Sequence, residues 1–448
     1  MTSTTRPLTI WSPQFLWTSI GSNALIFLSA FEALAVTTIM PTISRDLDGE
    51  ALYSVAFSGM LAASVIGMVV AGRWADNLGP TRPLLIAVVV FLVGLMVSGT
   101  AESMPVFIVG RVLQGLGSGG VGVAIYVVVA RIYPAELHPK IFGAFAAAWV
   151  LPSLVGPPVA GLVAELFSWH WVFLGVAVVM VAASLLLIPT VRALKGTSIR
   201  NTDAAGSSRN IVWAVVVAVG ILAISLGGDS GGVLAVPIII VAFAVVVLAL
   251  RPLLPTGTLL ARHGLPAATL LRGGVAAAFY ASEIYLPYLL NTQYGLPPWA
   301  SGLVLTVAAL SWAGASALQG LLGERMSHDL ALRLGAAMLV VGIGGVLVTA
   351  ALWLSPVVAA SGWLVAGFGM GLMFPRMSTL ALAYSSDRDQ GFNSAAMSIA
   401  DAAGGATAIA FSGLVFLAFG SSFVAALTLT TLIALAAVPI SFRSRAAF

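Results

Sequence analysis

The chain has 448 residues, of which 60% are hydrophobic and only 8% charged, and its mean hydropathy is +1.05. Soluble domains carry roughly 25% charged residues because water must solvate their surface, and 20 Lys+Arg with 16 Asp+Glu cannot cover a globule of this length. Composition therefore excludes a soluble enzyme, a disordered protein and a fibrous protein, and it indicates an all-α polytopic membrane protein whose main partner is the lipid bilayer. The absence of Cys removes disulfides, thiolate metal sites and cysteine nucleophiles. Four single histidines (His138, His170, His263, His328) offer no pair at zinc-ligand spacing, so no metal and no cofactor is expected. The net charge of +4 is read as loop charge on one side of a membrane, with no nucleic-acid partner.

A hydrocarbon core of about 30 Å needs about 20 apolar residues per helix. Fourteen such runs are predicted, at 14–40, 52–72, 83–101, 104–130, 141–164, 171–190, 211–228, 232–250, 268–290, 299–322, 332–353, 357–382, 393–417 and 422–441. The GGDSGG tract at 227–232 parts the two central runs. With the amino terminus inside, the inner loops hold Arg6, Arg73, Arg82, Arg131, Lys140, Arg192, Lys195, Arg200, Arg209, Arg251 and Arg262, then Arg325, Arg388, Arg443 and Arg445. The outer loops hold Arg45 beside Asp46, Asp48 and Glu50. By the positive-inside rule both termini are expected in the cytoplasm of a multi-pass cell-membrane protein, and the first run is read as a retained helix and not a cleaved signal.

The chain repeats itself. Gly110-Arg-Val-Leu-Gln-Gly115-Leu-Gly117-Ser-Gly119 aligns with Gly362-Trp-Leu-Val-Ala-Gly367-Phe-Gly369-Met-Gly371 at an offset of 252. Separately, Gly72-Arg-Trp-Ala-Asp76 aligns with Gly320-Leu-Leu-Gly-Glu324 at an offset of 248. Two matches at nearly one offset predict an amino-terminal six-helix bundle (1–192), a cytoplasmic linker with two extra helices (193–262) and a carboxyl-terminal six-helix bundle (263–448). Duplicated six-helix halves are an architecture of secondary transporters, with the site between the halves at the midplane.

Four ionisable residues within the runs need a reason to be there. Glu32 lies mid-depth in the first run, nine residues before Pro41. Such a carboxylate is expensive when ionised, so it can be neutral in one state and release its proton in another. Arg111 of the fourth run costs roughly 2.5–3.5 kcal/mol on insertion scales and should face a partner inside the protein; the competing reading is that it snorkels to the surface. Glu283 lies in the ninth run, the repeat equivalent of the first, and Asp401 in the thirteenth. For each acid the competing role is a buried salt bridge serving assembly only. Among the aromatic residues, Tyr126, Trp149, Tyr280 and Trp312 are candidates to line a substrate cavity, together with Glu32 and Glu283, against lipid-facing packing for any single ring.

Three local patterns complete the picture. The loop Gly72-Arg-Trp-Ala-Asp76-Asn-Leu-Gly79-Pro-Thr-Arg82 can turn tightly at its glycines, and Asp76 can pair with a cation or cap a helix. Arg111-Val-Leu-Gln114-Gly115 follows in the fourth run, and Gly156-Pro157-Pro158-Val-Ala-Gly161 in the fifth offers a small-residue face with prolines that permit a bend. These resemble the G-x-L-A-D-R-x-G-R-R-R, R-x-x-Q-G and G-P-x-x-G-G motifs of the major facilitator superfamily, and within it the fourteen-span drug:proton antiporters. The segment around Glu32 resembles that family's L-D-x-T-I-V-N-x-A-L-P element, with Glu for Asp. The loop departs at Asn77, Pro80 and Thr81, and Ala160 replaces a glycine. The resemblance implies the major facilitator fold, two six-helix bundles plus two linker helices. It associates Arg111 and Gln114 with proton coupling and the 156–161 segment with export.

The expected function is proton-coupled efflux of small amphipathic or cationic molecules by alternating access, powered by the proton gradient, in a protein expected to be a monomer. The alternative is a proton symporter, or an exporter of a specific native metabolite or sugar, on the same fold. An enzyme is not expected, since no HExxH, Walker loop or Cys is present.

Overall fold

The computed structural model describes residues 8–193, 204–227, 235–322, 325–386 and 389–445. Most of the GGDSGG tract, Arg388 and Glu324 of the second repeat match lie outside them. Among the described residues there are helices and no strands. The helices are α1 (Leu16–Asp46), α2 (Tyr53–Leu78), α3 (Thr81–Gly99), α4 (Met104–Ile132), α5 (His138–Leu166), α6 (His170–Leu185), α7 (Ile188–Ala193), α8 (Ala204–Gly227) and α9 (Ala235–Leu250). They continue as α10 (Leu265–Glu283), α11 (Tyr285–Tyr294), α12 (Pro298–Leu322), α13 (His328–Leu352), α14 (Pro356–Ala383), α15 (Gln390–Ala418) and α16 (Phe423–Ser441). In lipid every backbone group must be satisfied within its own segment, which is why apolar runs of this length become helices.

Twelve of these helices are long and apolar enough to cross a membrane. The two remaining predicted spans take other forms. The sixth run becomes the 16-residue α6 followed by the short α7, which is tied to α1 by a 2.6 Å hydroxyl contact between Thr190 and Thr18. The ninth run is broken between Glu283 and Tyr285. Pro287 has no N–H, and its ring collides with the carbonyl four residues back, that of Glu283. The run predicted at 211–228 starts earlier than expected, because α8 already begins at Ala204.

The repeat read from the sequence reappears as contacts. A Cβ on Gly115 or Gly119 would collide with the carbonyls of Met60 and Ser64 in α2, and one on Gly367 or Gly371 would collide with those of Ala308 and Trp312 in α12. The glycines are related by the 252-residue offset and the carbonyls by the 248-residue offset. Small residues thus let α4 lie on α2, and α14 on α12, backbone against backbone. The extra helices α8 and α9 pack on each other, and with α2 and α15 they form one apolar cluster that includes Val65, Ile221, Val246 and Ala403.

Both described ends of the chain lie at one face. Ser19 Oγ donates to the Ile10 carbonyl and meets the Tyr133 hydroxyl at the end of α4, while the Tyr384 hydroxyl at the end of α14 donates to the Ser444 carbonyl. At the opposite face the two sets of helices, α1–α7 and α10–α16, touch. A Cβ on Gly161 of α5 would stand 2.6 Å from the backbone of Trp299 in α12, and one on Gly302 would stand 2.8 Å from Pro157. Gly143 and Gly320 lie on the same helix faces as Gly161 and Gly302, five turns or about 27 Å nearer the terminal face. Neither has any neighbour within 4 Å of a Cβ. The α5–α12 seam is therefore shut at the opposite face and parted toward the termini.

Candidate functional site

Among the described residues, each set of helices carries a polar cluster built on an arginine–carboxylate pair within its helices. In the first, Arg111 of α4 forms an ion pair with Glu32 of α1, and both side chains are almost wholly buried, at 2% and 1% exposure. The same Nη1 donates to Gln114 Oε1, and Nη2 points at the Met60 sulfur. Gln114 in turn donates to the Gly94 carbonyl (3.2 Å) and to Ser98 Oγ (3.1 Å) of α3. Burying a charge is tolerable only when it is paired, and here Arg111 finds its pair inside the protein and does not reach the surface. The pairing is incomplete, because Glu32 Oε2 and Arg111 Nε have no hydrogen-bond partner.

The second cluster contains a cation that the sequence reading passed over. Arg272 of α10 donates through Nε to Asp401 Oδ1 of α15 (3.1 Å) and through Nη1 to the Phe374 carbonyl (3.4 Å), and its guanidinium lies 3.5 Å from the centre of the Phe374 ring. The Tyr280 hydroxyl donates to Asp401 Oδ2 at 3.2 Å. Trp312 packs edge-on against Phe374 (4.7 Å) and Phe279 (5.6 Å). Unlike the first pair, this one retains access, with Arg272 16% and Asp401 20% exposed. Tyr126 of α4, half-exposed and stacked on Phe142, lies within electrostatic reach of Arg272 from the other set of helices.

Glu283 stands apart. It is half-buried at the break between α10 and α11, one turn from Tyr280, and makes neither a hydrogen bond nor an ion pair among the described residues. Of the three acids singled out within the membrane helices, it alone lacks an arginine. Trp149 is not drawn into either cluster; the residue is 54% exposed on α5.

The loop pattern sits at the terminal face. Gly79 has φ +77°, a conformation that costs glycine nothing, and Arg131 at the end of α4 donates to the Ala75 carbonyl (3.3 Å) beside it. Asp76 and Arg82 are exposed, and Gly72 has Val123 as its nearest neighbour across the helix contact. The segment Gly156, Pro157, Gly161 lies on the shut part of the α5–α12 seam, with Gly156 against Phe31.

The shut face is completed by aromatic rings. Tyr53 of α2 stacks on Tyr288 of α11 at 4.7 Å, Tyr285 and Phe416 lie 5.1 Å apart, and Phe423 meets Tyr288 edge-on at 5.2 Å. The Tyr53 hydroxyl donates to the Ile284 carbonyl at 2.6 Å, so a buried hydrogen bond joins the two sets of helices at the residue between α10 and α11.

The family description "Major Facilitator Superfamily" matches residues 23–409. The chain is 27% identical over 383 residues to the multidrug transporter protein MdtP of Bacillus subtilis, covering 83% of this chain and 69% of that protein. It is 24% identical over 367 residues to the multidrug efflux pump SdrM of Staphylococcus aureus, covering 81% of each. Among solved structures, an autoinhibited POT family peptide transporter superposes with a TM-score of 0.70 at 14% identity, over 94% of this chain and 95% of that one. That likeness concerns the fold.

Proposed function

Because the chain belongs to the Major Facilitator Superfamily, we propose that it is a proton-coupled exporter of small amphipathic or cationic molecules, working by antiport and alternating access. The terminal face is the cytoplasmic one in this reading, supported by the cations concentrated in its loops. The parted α5–α12 seam then makes this an inward-facing state, in which cargo enters from the cytoplasm between the two clusters. Both multidrug relatives, aligned over most of the chain, support cargo of that class.

The observation that carries the coupling assignment is the contrast among the three acids. Glu32 and Asp401 are each held by an arginine, so protonating either must break an ion pair, whereas Glu283 takes or gives a proton with no pair to break. Glu283 also sits where the helix is broken and the aromatic closure begins, so its charge is felt by the backbone that moves when that face opens. Protonation there favours one state because the charged and neutral forms differ in desolvation cost between the two. Asp401 and Arg272, with Tyr280, Trp312 and Tyr126 nearby, form the cargo-facing wall, and the Glu32–Arg111–Gln114 cluster ties α1 to α4.

The test is transport in reconstituted vesicles. Glu283→Gln should abolish accumulation of a fluorescent cation driven by a pH gradient while leaving gradient-free exchange of the same dye. Gradient-driven uptake at the wild-type rate in this variant would remove Glu283 from the coupling role.

A further inference from the structure

Outside the two clusters, a groove of about 370 Å3 lies on the flank of the molecule, walled by α9, α10, α15 and α16. Phe243 and Leu250 of α9, Leu270 of α10, Thr407 and Phe411 of α15 and Ile433 of α16 are among its residues. No ionisable side chain lines it, and the only polar ones are Thr258, Thr269 and Thr407. Each of those hydroxyls is already spent on its own backbone, at the carbonyls of Pro255 (2.7 Å), Leu265 (2.9 Å) and Ala403 (2.7 Å). The groove thus offers a ligand no free hydrogen-bond donor and almost wholly apolar contact, and an alkyl chain is the chemistry it accepts.

The end of the groove at the terminal face is different. The segment that follows α9 closes it with the buried Thr258, and around that closure lie Arg251, directly after Leu250, and Arg262, packed on Gly257. Arg443 is brought to the same place by the hydrogen bond from the Gly264 N–H to its carbonyl (3.0 Å). All three arginines are exposed, none has a side-chain hydrogen bond or ion pair among the described residues, and the segment 251–264 contains no acid. An apolar channel that ends near three arginines without an ion pair among the described residues has the charge order of a phospholipid read from tail to head.

We propose that this groove is the binding site of an anionic phospholipid of the leaflet at the terminal face, with one acyl chain lying along α10 and α15 and the phosphate held by Arg251, Arg262 and Arg443. The site gives the extra helices a purpose, since α9 supplies one entire wall. It also places the chain against the α10–α15 contact, where Gly273 and Gly404 meet backbone to backbone, and the far side of that contact bears Arg272 and Asp401.

The experiment is native mass spectrometry of the full-length protein released from bilayers of equal phosphatidylglycerol and phosphatidylcholine. Wild type should retain phosphatidylglycerol in preference to phosphatidylcholine, and excess inorganic phosphate should not displace it. Charge removal near a membrane surface weakens anionic-lipid binding roughly fivefold per arginine. Arg251→Gln with Arg262→Gln and Arg443→Gln should therefore erase the preference, and these exposed positions leave the helix packing intact. Thr407→Trp, which fills the groove, should lower retention of both lipids. Equal retention of the two lipids by wild type, displacement by inorganic phosphate, or an unchanged preference in the triple variant would each overturn the proposal.

Discussion

Tyr53→Phe isolates a single interaction across the seam that must open if the molecule is to face the other way. The substitution keeps the ring, and so the stacking on Tyr288 and the packing against Tyr285, but deletes the hydroxyl that donates to the Ile284 carbonyl at 2.6 Å. A buried neutral hydrogen bond contributes a net of about 0.5–1.5 kcal/mol. The bond exists only while the opposite face is shut, and its loss should raise the population open at that face by roughly two- to tenfold. Because the chain has no cysteine, a single reporter thiol gives an unambiguous signal. Ser301 of α12 is fully buried beside Gly302 on the α5–α12 seam, away from Tyr53. In a Ser301→Cys background, Tyr53→Phe should speed labelling by a membrane-impermeant maleimide by the same factor. An unchanged labelling rate would show that the hydrogen bond does not hold the seam, and the reading of this face as a closed gate would fall with it.

Other outcomes follow from the same geometry. Arg111→Ala leaves Glu32 buried without its cation, a change that typically costs 3–5 kcal/mol, and a large fall in thermal stability in detergent should register it. Adding Glu32→Gln to that variant should recover most of the stability, and failure to recover would mean that the pair is not what stabilises the α1–α4 contact. Gly161→Ala drives a Cβ against the Trp299 backbone, where overpacking costs about 1–3 kcal/mol, and should open the seam to the same thiol probe. Gly143→Ala, on the same face five turns away with nothing within 4 Å, should leave labelling unchanged, and equal effects of the two alanines would refute the parted-seam geometry.

What the sequence could disclose was governed by how local the signal is. Apolar runs place the helices because each satisfies its own backbone, and the paired offsets disclosed a repeat, but the contacts of Gly115 on Met60 and of Gly367 on Ala308 came only from packing. The break after Glu283 was hidden because hydropathy is indifferent to a missing N–H, although Pro287 was in plain view. Arg272 was overlooked for a different reason. It stands close enough to the start of the ninth run to pass for an interfacial residue, and its partner Asp401 is 129 residues away. Asp401 was picked out as an anomaly in its own helix, but no spacing rule could join the two. Likewise the lone state of Glu283 is a statement about what is missing around it, which only packing reveals.

The glycines at the parted end of the seam bear on how that end would close. Gly143 on α5 and Gly320 on α12 present bare backbone to the gap, in the same register as Gly161 and Gly302, which pack on Trp299 and on Pro157 across the other end. Nothing bulky on those two tracks has to be moved aside when the terminal ends swing together, so the second closed arrangement needs no repacking of side chains at these positions. The bundle carries matching landing surfaces at both ends of one pair of rods, and the journey between them can be a tilt of rigid bodies.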